Sequence, residues 1–95
     1  MSNETISESV IADLLKEIDR ATAKHPFFPC RKHPAFTLIA EEYLELTRAI
    51  NDNESDARVI EEAFHTAVTL LRFITEKRKN PDLHAEDERI EENEE

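Results

Sequence analysis

The chain has no glycine, no tryptophan, a single cysteine and only four prolines among its 95 residues. Tight β-hairpins of the commonest types want glycine or asparagine at positive φ, and the long apolar–polar alternation of half-buried strands is missing too. These absences exclude a β-rich fold and point to an all-α one. They also exclude a phosphate-cradling loop of the P-loop kind, which needs glycine for its turn, and no nucleophilic triad is supported. The lone thiol, Cys30, excludes an intramolecular disulfide framework and suits a reducing compartment. No apolar run approaches the roughly 20 residues that cross a bilayer. The first residues, Met1-Ser2-Asn3-Glu4-Thr5, lack the cationic and apolar regions of a signal peptide. The chain is therefore expected to be cytoplasmic, with no membrane partner.

Charge is plentiful but unevenly placed. The formal net charge is −10, and the stretch from Asp82 to Glu95 carries eight acids and one arginine. The remainder is only mildly acidic, with no basic stripe to meet a phosphate backbone, so a nucleic-acid polymer is not an expected partner. At this length one small domain is expected over residues 1–80, followed by an acidic tail at 81–95 that is disordered or marginally helical. A domain this small gains stability from oligomerisation.

The apolar residues recur at helical spacing in three segments. Thr5-Ile6-Ser7-Glu8 matches a capping box. Ile6, Val10, Ile11, Leu14, Leu15, Ile18 and Ala21 then form one stripe that should run to about Lys24. His25-Pro26 stops it, because the residue before proline is pushed out of the α region. The next segment holds Pro26, Phe27, Phe28, Pro29, Cys30 and Pro34, and a second helix is expected near Pro34, since proline suits a first turn. That helix carries Phe36, Ile39, Tyr43, Leu46 and Ile50 on one face and ends at Asn51-Asp52-Asn53. Ser55 is a fair cap for a third helix, whose apolar positions spread over roughly 220° of arc. That width predicts either a central place for the third helix or a second flank that meets another subunit. Asn80-Pro81 closes it.

Two acidic clusters carry the chemistry: Glu41-Glu42-Tyr43-Leu44-Glu45 and Glu61-Glu62-Ala63-Phe64-His65. Residues three or four apart share one side of a helix, so Glu42 with Glu45, and Glu62 with His65, each make a two-pronged group. Glu42 falls between apolar neighbours, Leu38, Ile39, Leu46 and Ala49, where an unpaired carboxylate is costly. Glu62 borders the apolar arc of its own helix. Antiparallel packing would let these side chains converge on one divalent cation. Two readings stay open here: a metal site at Glu42, Glu45 and Glu62 with His65 as ligand or neighbour, or a surface salt-bridged to Arg48, Arg58 or Arg72.

At these residues the sequence resembles the MazG-like nucleotide pyrophosphohydrolases of the all-α NTP pyrophosphatase group. Their signature is E-E-x-x-E followed by E-x-x-D. The first half is complete in Glu41 to Glu45; the second reads Glu62-Ala63-Phe64-His65, with histidine where aspartate is expected. A small phage and mobile-element branch is more similar still, through His33 ahead of the first motif, Thr66-Ala67 after the second, and Arg72-Phe73. The resemblance covers about residues 8–78.

It implies an antiparallel helical bundle of three main helices, with a short fourth one allowed, completed by assembly into a homodimer or homotetramer. It implies Mg²⁺- or Mn²⁺-dependent cleavage of a nucleoside triphosphate to the monophosphate and pyrophosphate, in nucleotide-pool housecleaning. Glu42, Glu45, Glu62 and His65 would hold the metal. Glu41 and Glu42 would be catalytic, Glu41 as a ligand or the residue that orients the water. Lys32, His33, Phe36 and Arg72 would bind substrate, with Phe27 and Phe28 as further candidates for stacking on a base and Lys24, Arg31, Lys77 and Arg78 for steering phosphate. The histidine supplies one negative charge fewer, which would favour Mn²⁺ or leave a catalytically silent protein that binds nucleotide or metal as a regulator. A purely structural helical interaction protein is the remaining alternative.

Overall fold

A computed structural model describes residues 5–81. Among them are three helices and no strand: α1 over Glu8–Lys24, α2 over Lys32–Asn51 and α3 over Asp56–Lys79. The all-α expectation holds. The acidic tail from Asp82 onward, and with it any fourth helix, lies outside the described residues.

Each helix boundary has a local cause. The cap of α1 is Ser7 and not Thr5: the Ser7 hydroxyl accepts from the Val10 amide at 3.2 Å. Glu8 thereby moves from the third turn position of a capping box to the first helical residue, where its charge still meets the positive end of the helix. Helix α2 begins two residues before Pro34 with no side-chain cap. Its proline stands inside the first turn, where the missing amide would have had no helical partner.

The end of α2 shows how a chain without glycine turns sharply. Asn53 takes the left-handed conformation, φ 59°, the only described residue with positive φ. The Glu54 amide then reaches back to Ala49 O at 3.0 Å and the Asn53 amide to Ile50 O at 3.1 Å. This is the doubly bonded helix stop usually built on glycine, here on the residue that next best tolerates that conformation. Ser55 caps α3 as expected, accepting from the Arg58 amide at 3.2 Å.

Helix α3 is the central element. It packs against α2 as a helical hairpin and against α1 on its other side, while α1 and α2 scarcely meet. These two neighbours account for part of its wide apolar arc, while Ile60, Leu70, Leu71 and Ile74 stay exposed. Ala35 and Ala49 of α2 and Val68 of α3 are buried, and such small residues let the two backbones approach closely. Thr66 fixes the register: its hydroxyl lies 3.2 Å from Glu42 O across the hairpin and 3.0 Å from Glu62 O on its own helix. Beyond the hairpin, α3 holds the segment after α1. Arg72 donates to the carbonyls of Ala21 and His25 and lies 5.4 Å from the centroid of the Phe28 ring. Lys77 donates to Cys30 O.

Many large apolar side chains remain uncovered, among them Ile6, Leu15, Tyr43, Ile50 and Ile60, each more than half exposed.

Candidate metal centre

Among the described residues the largest fully buried side chain is a carboxylate. Glu62 is 2 % exposed, deep between α2 and α3. One of its oxygens, Oε2, is ion-paired with Arg58 Nη1 at 2.6 Å, the two residues standing one turn apart on α3. The other, Oε1, is buried and receives no hydrogen bond. Glu42 Oε1, arriving from α2 in the register set by Thr66, is buried and unpartnered too. His65 Nδ1 lies 3.4 Å from Glu62 Oε1. One ligand atom from each of Glu42, Glu62 and His65 falls within 4.8 Å of the others.

Such a grouping is unfavourable by itself, because a buried carboxylate without a donor forfeits its hydration. Burial, reinforced by Glu45, Glu62 and Glu41 and opposed by His65, pushes the Glu42 carboxyl above its usual 4.5. The site fits a divalent cation on two counts. It has two carboxylate oxygens with no donor, and an imidazole nitrogen on their side. A set of two oxygens and one imidazole nitrogen suits Mn²⁺ or Zn²⁺ better than Mg²⁺.

On its other edge His65 meets α1. Its Nε2 lies 3.5 Å from Glu17 Oε2. Glu17 accepts in turn from Arg20 Nε, at 3.0 and 3.1 Å to its two oxygens. That bond leads the Arg20 charge and His65 in holding the Glu17 carboxyl below 4.5, against the opposing effect of its partial burial. The side chains form a row of alternating character, Arg20–Glu17–His65–Glu62–Arg58, spanning two helices.

The group opens into a cleft of about 610 Å³. Leu38, Glu41, Glu42 and Glu45 face it from α2, at the spacing that defines one side of a helix. Glu45 and Glu41 are exposed there, outside the three-residue group. Lys24, Phe27, Phe28 and Arg72 line the cleft from the α1 side and from α3. Lys32, His33 and Phe36 do not line it. Two residues along a helix is about 200° of rotation, so Phe36 points away from the face of Leu38 and is 64 % exposed. Arg72 is in the wall, but its guanidinium is engaged with the Ala21 and His25 carbonyls.

Of the arginines considered as salt-bridge partners, Arg58 takes that part, reaching Glu54, Glu61 and Glu62. Glu17 and Arg20 were not anticipated. The signal was present: Glu17 interrupts the Leu14, Ile18, Ala21 stripe much as Glu42 interrupts its own.

No family model matches this chain, and neither a curated protein nor a solved structure does.

Proposed function

We propose that this protein is a divalent-metal-dependent nucleoside triphosphate pyrophosphohydrolase of the MazG-like kind. The observation that carries the reading is that Glu42 and Glu62 each hold a buried oxygen with no donor and, together with His65, bring ligand atoms within 4.8 Å of one another in the lining of a cleft. A cation bound there would neutralise charge on phosphate oxygens and make its bound water more acidic.

The remaining roles fall to residues of the chain. Glu62, fixed by Arg58, and Glu42 hold their oxygens toward one point. Glu45 adds negative charge along the same face, and Glu41, exposed beside it, orients the attacking water and takes its proton. Lys24, exposed on the last turn of α1, meets the phosphate chain. Phe27, 88 % exposed on the cleft, offers a ring face to the base. The uncovered apolar side chains support assembly into a homodimer or homotetramer.

The test is incubation with a panel of ribo- and deoxynucleoside triphosphates and Mg²⁺ or Mn²⁺, resolving monophosphate and pyrophosphate. Pyrophosphate release that disappears in Glu42→Gln supports the reading. Absence of turnover with every nucleotide overturns it. His65 favours a second reading, a silent relative that binds nucleotide without cleaving it. In that case nucleotide binding persists without product, and His65→Asp restores turnover. A purely structural role fits less well, since Arg58 satisfies only one oxygen of Glu62.

A further inference from the structure

His65 is flanked by carboxylates on both ring nitrogens, and the two flanks differ. Nδ1 faces Glu62 Oε1 at 3.4 Å, in the group that holds the donor-less oxygens. Nε2 faces Glu17 Oε2 at 3.5 Å, on a different helix. A neutral imidazole donates from one nitrogen and accepts at the other. The nitrogen that ligates is chosen by the partner of the nitrogen that does not.

We infer that Glu17 is a positioning residue for the metal centre: it accepts the Nε2 proton of His65, so that Nδ1 presents its lone pair to a cation held with Glu42 and Glu62. This inference rests on the metal-centre reading above and deepens it.

Three features support the assignment. First, Glu17 is placed to accept, because Arg20 Nε donates to both of its oxygens, at 3.0 and 3.1 Å, and fixes the carboxylate beside the ring. Second, the same grip aims the carboxylate. An unanchored glutamate would spend rotamer freedom to reach a histidine on another helix, whereas this one is already held at 18 % side-chain exposure. Third, among the described residues the other carboxylate oxygen paired with the ring is Glu62 Oε1, on the Nδ1 side. With that oxygen engaged by a cation, the ring proton would be left to Glu17. Helix α1 contributes none of the three proposed ligands, and Glu17 is how it acts on the site. An aspartate at position 65 would need no such partner, because a carboxylate has no tautomer to select.

That last point supplies the test. Mn²⁺ affinity is measured by calorimetry for the wild type, Glu17→Ala and Glu17→Gln, and for Glu17→Ala in the His65→Asp background. Glu17→Ala should weaken binding about 10–100-fold. Glu17→Gln, which keeps a carbonyl acceptor, should lose less. In the His65→Asp protein the alanine change should cost no more than about twofold, as for uncoupled sites. A merely structural Glu17 would weaken binding alike in both backgrounds, which overturns the inference.

A second readout is the ¹⁵N spectrum of histidine-labelled protein loaded with diamagnetic Zn²⁺, with His65 assigned by its loss in His65→Asp. The expected pattern is a metal-bound Nδ1 and a protected Nε2–H that exchanges rapidly in Glu17→Ala. Zinc on Nε2 would overturn the inference while leaving the centre intact. Failure of the wild type to bind either metal overturns both.

Discussion

His65 Nδ1 lies 3.4 Å from Glu62 Oε1, while the second oxygen of the same carboxylate takes Arg58 at 2.6 Å. Glu62 is therefore satisfied on one side only, at 2 % exposure. Removing such a group's partner is costly, and supplying its missing one is favourable. The unpartnered oxygen of Glu62, together with that of Glu42, makes this part of the cleft a candidate site for positive charge.

If Glu42 is destabilising in the absence of a cation, neutralising it should stabilise the metal-free protein. Glu42→Gln is expected to raise Tm in the presence of chelator. The gain should stay under about 1 kcal/mol, because the side chain is partly solvated, and each kcal/mol corresponds to about 4–8 °C in a domain of this size. The same substitution should abolish pyrophosphate release. Calorimetric melting with EDTA checks the first outcome; an unchanged or lower Tm would contradict it.

Two carboxyls should leave opposite marks on the pH dependence of stability. Glu42 has its carboxyl raised by burial and by Glu45. Its favourable contribution is thus full below 4.5 and lost as pH rises through its folded value. Glu17 is lowered, chiefly by its bond from Arg20, so its contribution is present above 4.5 and lost as pH falls through its folded value. Urea unfolding of the metal-free protein across the acidic range should show Glu42→Gln losing the gain seen on acidification toward 4.5. Glu17→Gln should instead lose stability above 4.5. Identical profiles for the two variants would contradict the assignment.

Arg72 fastens the segment after α1 through two carbonyls and the Phe28 ring. Arg72→Met should cost about 1.5–3 kcal/mol, the range for hydrogen bonds that involve a charged group. Arg72→Lys should recover little, since an ammonium lacks the planar fork that serves two carbonyls and stacks on a ring. Urea unfolding checks this, with amide exchange at residues 25–30 expected to rise in both variants.

Asn53 stands where φ is 59°. Asn53→Ala should destabilise by about 1 kcal/mol and Asn53→Gly should be neutral or mildly stabilising. Equal effects of the two, measured by denaturant midpoint, would mean that the left-handed turn does not govern this stop.

The three helices were legible because each has a one-dimensional signal: the α1 stripe ending at His25-Pro26, the Asn51-Asp52-Asn53 stop, and Ser55 before the apolar run of α3. The cap of α1 was misplaced because Thr5 and Ser7 offer the same hydroxyl two residues apart, and only the backbone chooses between them. Glu42, Glu62 and His65 were readable as a group from their spacing, since a helical hairpin returns each cluster to the other. The places of Lys32, His33 and Phe36 were not. They adjoin the acidic motif in sequence, but the rotation of α2 turns Phe36 away from the cleft-facing Leu38 side, and the cleft is walled by Lys24, Phe27 and Phe28 instead. Glu17 was legible only as a carboxylate interrupting the α1 stripe; that it meets His65 depends on which helices pack together, which the spacing along α1 does not carry.

The most direct test of the metal centre is a calorimetric titration of chelator-treated protein with Mn²⁺, beside a Glu62→Gln variant whose folding is checked by circular dichroism. The account predicts saturable binding by the wild type and none by the folded variant. Equal binding by both proteins, or no binding by the wild type, would contradict it.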